Sequence, residues 1–347
     1  MDEEKGAVFS ATGDGHVIAR TLGSGRQLWA TRVGRSRPEG ENLVTRAGVV
    51  VAPVLFHTVG LDALTGVELW RYRAPPDTID GGALAPGSLG GVHVDADNFS
   101  VYIPAWGGSI SAIDLRTGGV RWVWQPEPGI PHRFGAQGVR VSGGTVYATV
   151  WHFLNATGTV CEGWVLALDA VTGRQIWRTT LPRRSSHLCL PGAPAVTPGR
   201  VIVSMITGEV FGLDAQTGAV AWSVPRQMPD ATGVFNAVIS GPVAFGREVY
   251  VDGGTETLRA LSADDGRVLW RTRYSGQLKH DLLATDRWLY GADGWNLHVF
   301  DRRTGRLHVT LRDPGSRHDG LFAATPAAAG GRIFAPVSAG LWAFPSH

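Results

Sequence analysis

The sequence predicts an all-β protein built from repeated four-stranded antiparallel sheets, and three observations lead to this fold class. Of its 347 residues 47 are Gly, about twice the usual share, which suits a fold with many tight turns. Only 18% of the residues are charged, 44% are hydrophobic and 13 are Trp, a composition that excludes a disordered chain and argues against long surface helices. A short strand–turn–strand motif also recurs along the whole chain.

The motif is an alternating apolar stretch, a turn of the form Asp-x-x-Thr-Gly, and a second stretch that ends in Trp. The two stretches predict β-strands, and the turn between them predicts a hairpin in which Gly has a positive φ. The copies span residues 21–29, 59–70, 111–122, 166–177, 211–222, 260–270 and 299–309. Those at 260–270 and 299–309 are degenerate, and the last ends in Val309 where the others have Trp.

Each copy is preceded by another β run, such as 201–204, and by a run of small residues, such as 192–196. This makes four strands per unit, named A to D from the inside outward. The last positions of successive copies are 39 to 55 residues apart, a period typical of a β-propeller. The first unit supplies strands B to D, and the last supplies strand A at 321–325, B at 332–335 and C at 340–344.

We therefore predict an eight-bladed β-propeller in a single domain over residues 1–347, with seven blades as the alternative. The first blade then lacks strand A and the last lacks strand D. We expect a natural precursor to carry an N-terminal extension that holds an export signal and the two missing strands.

The string Leu-Asp-Ala-x-Thr-Gly-x-x-x-Trp resembles the PQQ-like repeat of quinoprotein dehydrogenases and of the outer-membrane assembly factor BamB, across nearly the whole chain. The resemblance implies that the Trp residues ending strand D dock on the neighbouring blade: Trp29, Trp70, Trp122, Trp177, Trp222 and Trp270. The resemblance predicts the fold but says almost nothing about function.

The resemblance disfavours PQQ as a cofactor. In the dehydrogenases, PQQ goes with a chain of roughly twice this size, an adjacent Cys pair, and acidic and Asn calcium ligands. This chain has only Cys161 and Cys189, far apart in sequence, and no matching calcium string. A BamB-like scaffold fits better in size, although no lipoprotein Cys stands at the N-terminus. No cofactor is predicted with certainty, and a divalent metal stays a candidate.

The two cysteines are expected at one end of the fold. Cys161 is placed in a long connection between strands B and C of the fourth unit, 151–163, and Cys189 in the following D–A connection. Because strand direction alternates, B–C and D–A connections emerge at the same end, so a disulfide is predicted. The alternative is two buried thiols that act as small hydrophobic groups. The bridge favours an oxidising compartment.

A second register falls ten residues after each motif Trp, at the entry to the innermost strand of the next blade. It holds Glu39, Asp80, His132, His187, Thr232 and His280, with His318 in the seventh, one-residue-shorter copy. Charged neighbours are Arg133, Asp230, Lys279, Asp281, Arg317 and Asp319.

Three interpretations of this register stay open. It is a solvated rim whose His and Asp cap turns, or a mouth that binds a polar ligand or a partner. The third is a reactive site: His132 with His187, or His280 with His318, could hold a divalent metal. The same imidazoles could instead pair with Glu39, Asp80 or Asp281 as general acid and base.

Charge and hydropathy limit the function classes. The 32 basic and 30 acidic residues are interspersed, so no nucleic-acid partner is expected. No apolar stretch approaches the ~20 residues of a membrane helix, and residues 1–5 do not read as a signal peptide. We predict an exported or cell-surface monomer, with a cytoplasmic location as the alternative. It binds a partner protein or polar ligand at one mouth; the alternative function is a lyase-like or metal-assisted enzyme using the same ring.

Overall fold

The computed structural model describes residues 6–35, 43–54, 57–74, 93–105, 107–127, 134–155, 157–184, 189–226, 240–253, 257–276, 278, 280–312, 324–337 and 340–346. Every regular element in these ranges is a β-strand, and none of the described residues is helical. None of them therefore forms a helix that is long and apolar enough to cross a membrane.

The chain divides into two compact units, Met1–His187 and Leu188–His347. The strands of the first unit form blades 1 to 4: β1 Ala7–Ala11, β2 His16–Thr21 and β3 Gln27–Arg32; β4 Val44–Arg46, β5 Val49–Val54, β6 His57–Asp62 and β7 Glu68–Tyr72; β8 Asp95–Ala96, β9 Ser100–Pro104, β10 Ile110–Asp114 and β11 Val120–Trp124; β12 Phe134–Ser142, β13 Thr145–Phe153, β14 Cys161–Asp169 and β15 Gln175–Thr180.

The strands of the second unit form blades 5 to 8: β16 Ala195–Thr197, β17 Arg200–Ser204, β18 Val210–Asp214 and β19 Val220–Val224; β20 Val243–Phe245, β21 Glu248–Asp252, β22 Thr257–Ser262 and β23 Val268–Arg273; β24 Leu283–Ala284, β25 Trp288–Ala292, β26 Asn296–Asp301 and β27 Leu307–Arg312; β28 Ala327–Ala329, β29 Arg332–Val337 and β30 Gly340–Pro345.

The described residues thus form eight antiparallel sheets, each with its strands in chain order, and the predicted eight-bladed β-propeller fold is confirmed over the seven-bladed alternative. Blade 1 has three strands in the positions of B to D, and blade 8 has three in the positions of A to C. The placement of the last strand A was wrong. It lies at Ala327–Ala329, where a tight Gly330-Gly331 turn pairs it with β29, rather than at 321–325.

The motif turns have one geometry in every well-preserved copy. The Oδ1 atom of the turn Asp accepts hydrogen bonds from the two backbone N–H groups that follow and from the Thr hydroxyl, as at Asp214 with Gln216 and Thr217. The turn glycines have φ of 70–74°, a conformation that side chains with a Cβ seldom adopt. The turn therefore closes each C–D hairpin at a fixed position.

The Trp that ends strand D packs on the turn of the following blade within each unit. The indole N–H groups donate to backbone carbonyls at 2.8–3.1 Å, in the pairs Trp29–Ala63, Trp70–Leu115, Trp122–Ala170, Trp222–Ala263 and Trp270–Arg302. A glycine of the motif turn lies beneath each ring, as Gly266 lies beneath Trp222. A Cβ added to any of these glycines would lie only 2.3–2.6 Å from the Trp side chain, so no larger residue fits there. Docking is thus confirmed for five of the six residues. Trp177 is buried against Tyr147, and its docking stays a prediction.

The hydrophobic core lies between neighbouring blades. Apolar side chains of β5 in blade 2 pack with those of β9 and β10 in blade 3, and β21 and β22 in blade 6 pack with β25 and β26 in blade 7. Inner strands B and C are buried on both faces, whereas the outer strands D alternate between exposed and buried positions. Each blade therefore depends on its neighbour to bury its apolar faces.

Blade 4 departs from the sequence expectation because its first three strands are nine residues long. Cys161 begins β14 and does not lie within a connection, which shortens the B–C connection to residues 154–160. Aromatic packing stabilises the extension: the rings of Phe134 and His152 stack with centroids 4.3 Å apart, and Trp164 packs on both.

The predicted disulfide is confirmed. Neither cysteine is free, so Cys161 and Cys189 are joined to each other. Both are fully buried, and the backbone of Cys161 exchanges two 2.9 Å hydrogen bonds with Arg184, which extends the pairing of β14 into the D–A connection. The bridge thus links the B–C end of blade 4 to the connection that leads into blade 5.

Replacing Trp222 with Ala should lower the free energy of unfolding by about 3–5 kcal/mol, because it removes a buried indole and leaves a cavity over Gly266. Trp295→Ala is the control, since that side chain is exposed and its loss should change stability by about 0.5 kcal/mol or less. Equal effects of the two substitutions in urea unfolding would contradict the interblade role of Trp222.

Replacing both cysteines with Ser should lower the free energy of unfolding by about 2–4 kcal/mol, because the bridge restricts the unfolded chain. Non-reducing peptide mapping of the wild-type protein should yield one Cys161–Cys189 peptide pair. Recovery of both residues as free thiols from oxidised protein would contradict the bridge.

Candidate functional site

Most of the predicted ring lies outside the described residues. Of its members and their charged neighbours, the structure describes His280 and Asp281. The others fall in the undescribed ranges: Glu39, Asp80, His132, Arg133, His187, Asp230, Thr232, Lys279, Arg317, His318 and Asp319. The ring therefore stays a prediction, and the described candidate site is the B–C end of blades 6 and 7, the end that carries their B–C turns and D–A connections.

Asp281 holds two successive D–A connections together. It lies between β23 and β24, is 5% exposed, and its Oδ1 atom accepts a 2.8 Å hydrogen bond from the backbone N–H of Gly241. Gly241 lies in the connection that enters blade 6, and a Cβ there would meet the Ala193 carbonyl at 2.8 Å. His280, the preceding residue, is partly exposed. Asp281 thus positions the connection that presents His280.

The B–C turn of blade 7 is organised by a buried carboxylate that does not belong to the predicted ring. Oδ1 of Asp293 accepts hydrogen bonds from the backbone N–H groups of Trp295 and Asn296 at 2.8 and 2.7 Å. Oδ2 accepts from the Asn296 side-chain amide at 2.8 Å and from Nε2 of His298 at 3.0 Å. Nε2 is the donor because a carboxylate only accepts. Nδ1 of His298 lies 3.0 Å from the Thr310 hydroxyl.

These hydrogen bonds determine the charge state of Asp293. Burial alone would raise the pKa of this carboxyl, but the hydrogen bonds from His298 and Asn296 outweigh it and lower the pKa to about 2. Asp293 is therefore ionised near neutral pH. His298 is 2% exposed, so this Asp–His–Thr series is closed to substrates and stabilises the turn.

The D–A connection of blade 6 packs directly on this turn. Gly276 has a φ of +117°, and a Cβ there would lie 2.5 Å from Oδ2 of Asp293, so only glycine allows the approach. The ring of Tyr274 lies 5.7 Å from that of His298, and its hydroxyl accepts from the Leu278 backbone N–H. Burial, followed by the nearby Asp252 carboxylate, raises the pKa of Tyr274.

Charge is segregated at this end of blades 6 and 7. Asp252, Asp281 and Asp293 are buried, whereas Arg271 and Arg273 on β23 and Arg312 on β27 are exposed. In the described part of the chain no ion pair forms on these three arginines, and Arg312 donates to Oδ1 of Asn296 at 3.1 Å.

A fourth arginine, Arg259, is buried. It donates to the Gly208 carbonyl of blade 5 at 3.0 Å, and burial lowers its pKa to about 10. It therefore joins blades 5 and 6 and contributes no exposed charge.

Within the described ranges no group of three His, Cys, Asp or Glu side chains could hold a metal ion. The metal-binding candidates are untested, because three of the four ring histidines lie outside those ranges. The two cysteines are bridged to each other from separate parts of the chain, so they do not supply the adjacent Cys pair associated with PQQ.

A family model described as outer membrane protein assembly factor BamB matches residues 4–124, 107–240 and 234–344, which together cover nearly the whole chain. The chain belongs to this family. The BamB of Burkholderia pseudomallei is 26% identical over 289 residues, which cover 81% of this chain and 68% of that protein. The predicted resemblance is thus confirmed.

Other relatives match over shorter regions. The quinohemoprotein alcohol dehydrogenase of Comamonas testosteroni is 30% identical over 36% of this chain, and the BamB of Yersinia pestis is 31% identical over 31%. These regions span 18% and 27% of the two relatives, less than a third of either length. Among solved structures, BamB from Moraxella catarrhalis shares 20% identity with a TM-score of 0.60, covering 84% of this chain and 80% of its own. That likeness shows the fold.

Sequence reasoning missed Trp295 and Asp293 because neither belongs to the repeated motif. The available signal was the Asp-Gly-Trp-Asn string at 293–296, where a turn sequence carries a Trp far from the register of the motif Trp residues. An exposed Trp in a turn has no role in interblade packing, which marks it as a candidate contact residue.

The low pKa of Asp293 predicts a stability difference that depends on pH. The folded pKa is about 2 and the unfolded value about 3.9, so ionised Asp293 stabilises the fold by about 2 kcal/mol. This stabilisation is complete above about pH 5 and is lost as the pH falls from about 4 towards 2. In urea unfolding, the wild type should therefore have a larger free energy of unfolding than Asp293→Asn, and this difference should shrink as the pH falls through that range. Asp264→Asn, at an exposed turn, is the control; an advantage independent of pH would contradict the prediction.

Proposed function

We propose that this protein is an extracytoplasmic propeller that binds a partner protein at the B–C end of its blades, the end whose D–A connections hold the predicted His ring. The observation that carries the proposal is Trp295, an exposed indole on a turn whose backbone is fixed by the buried Asp293. Trp is enriched among the residues that dominate protein–protein binding energy, and a fixed backbone lowers the entropy lost on binding.

Two further observations support this function. The buried Cys161–Cys189 bridge suits an oxidising compartment, because cytosolic thiols are kept reduced. The relatives include proteins named as assembly factors, and the Burkholderia pseudomallei BamB matches most of this chain. A folded propeller that presents fixed turns at one end suits the binding of another protein, since loops on a rigid scaffold carry contacts without altering the core.

Site-specific photo-crosslinking tests this function. A benzoylphenylalanine at position 280, which is partly exposed, should give one discrete protein adduct in cells of the source organism. The same group at position 307, an exposed residue at the opposite end of blade 7, should give none. The purified partner should then bind the wild-type protein, and His280→Ala should weaken binding while leaving the Tm unchanged. No adduct at 280, or the same adduct at both positions, would contradict the proposal.

A metal measurement separates this function from the enzymatic alternative. After loading with Zn²⁺ and gel filtration, elemental analysis should show well under one equivalent of metal. Retention of one equivalent that is lost in His187→Ala or His280→Ala would favour a metal-assisted enzyme that uses the predicted ring.

A further inference from the structure

Trp295 differs from the other Trp residues that the structure describes. It is 51% exposed, while the motif Trp residues are buried or half-buried. It stands in the turn between β25 and β26. A small-molecule site encloses most of its ligand in a concave pocket. An indole with half of its surface exposed on a turn fits instead a shallow groove or a segment on another protein.

The turn is rigid before anything binds. Four hydrogen bonds end on Asp293, two of them from the backbone of Trp295 and Asn296, and Gly276 closes the other side of the carboxylate. If the turn deformed, the buried, ionised carboxylate of Asp293 would lose its hydrogen-bond donors, which costs free energy. The backbone that carries the indole is therefore already ordered, so little backbone entropy is lost when the complex forms.

Among the described residues around this turn, the exposed charged side chains are positive. Arg312 pairs with Asn296 across β26 and β27 and holds its side-chain oxygen, so its guanidinium lies beside the Trp295 turn. Arg273 ends β23, three residues before the Gly276 that touches Asp293. The nearby acids Asp252 and Asp293 are buried, and neither forms a direct ion pair with these two arginines.

From this arrangement we infer that Trp295, Arg273 and Arg312 form a docking point for an acidic segment of a partner protein, with an apolar side chain that packs on the indole. The inference rests on the proposed function and adds the chemistry of the partner. Carboxylates of the segment pair with the two guanidinium groups, and complementary charge speeds association and fixes orientation. Burial of the indole supplies most of the affinity.

Fluorescence anisotropy with defined peptides tests the inference on the full chain. The probe is a fluorescein-labelled peptide Glu-Asp-Glu-Phe-Glu-Asp-Glu, with one control peptide in which Lys replaces each acid and another in which Gly replaces Phe. The acidic Phe peptide should bind, and binding should weaken as salt rises because the charges are exposed. Trp295→Ala should weaken it about 30-fold, the loss typical of a hot-spot residue. Arg312→Gln should weaken it about threefold and flatten the salt dependence.

Matched controls lie at the other end of the same strand. Leu307→Ala removes an exposed apolar side chain from β27, and Arg306→Gln removes an exposed guanidinium from the adjoining turn. Both should leave peptide affinity unchanged. Circular dichroism should show that all four variants remain folded.

Three outcomes would overturn the inference: equal binding of the acidic and basic peptides, equal binding of heparin and the acidic peptide, or an unchanged affinity in Trp295→Ala. The crosslinked partner distinguishes the partner-binding function from the docking point at Trp295. If it binds at position 280 and its affinity is the same for wild type and Trp295→Ala, the partner-binding function stands and this docking point is wrong.

Discussion

The structure depends on one repeated contact, the indole of an outer strand packed on the turn of the next blade. Its geometry requires three features at once: a Trp at the end of strand D, a glycine with positive φ beneath the ring, and a carbonyl that accepts the indole N–H. At Trp222, these are supplied by Gly266 and the Ala263 carbonyl. Because a blade cannot bury its own apolar faces, this contact also positions the interblade core.

The repeated contact, seen at five motif Trp residues, lies at the C–D end of the blades and leaves the B–C end free to vary. In blade 4 that end is extended by nine-residue strands and a disulfide, and in blade 7 it carries the exposed Trp295. Neither change disturbs the motif turn at the other end of the same strands. A fold of this kind can therefore acquire contacts one blade at a time, and family membership does not decide what this chain binds.

The sequence was sufficient for the number of blades, the order of the strands, the turn geometry and the disulfide, since each rests on a pattern that is repeated or on strand direction. It was insufficient for the candidate site because the decisive contacts occur once. Asp293 reads as an ordinary turn residue, and His298 reads as a strand residue. Their pairing, and the approach of Gly276 to both, arises from a connection in another blade. Strand ends such as Cys161 were missed for a similar reason, because aromatic packing extended the sheet beyond the repeat.

The net charge of the chain does not describe the distribution of exposed charge at blades 6 and 7. The whole chain has 32 basic and 30 acidic residues, a balance that by itself predicts no preference for a charged partner. Among the described residues at the B–C end of these blades, the acids Asp252, Asp281 and Asp293 are enclosed, while Arg271, Arg273 and Arg312 face solvent. The carboxylates are used for internal hydrogen bonds that fix the connections. The described charged side chains that face solvent near the indole are thus arginines, although the composition of the chain is nearly neutral.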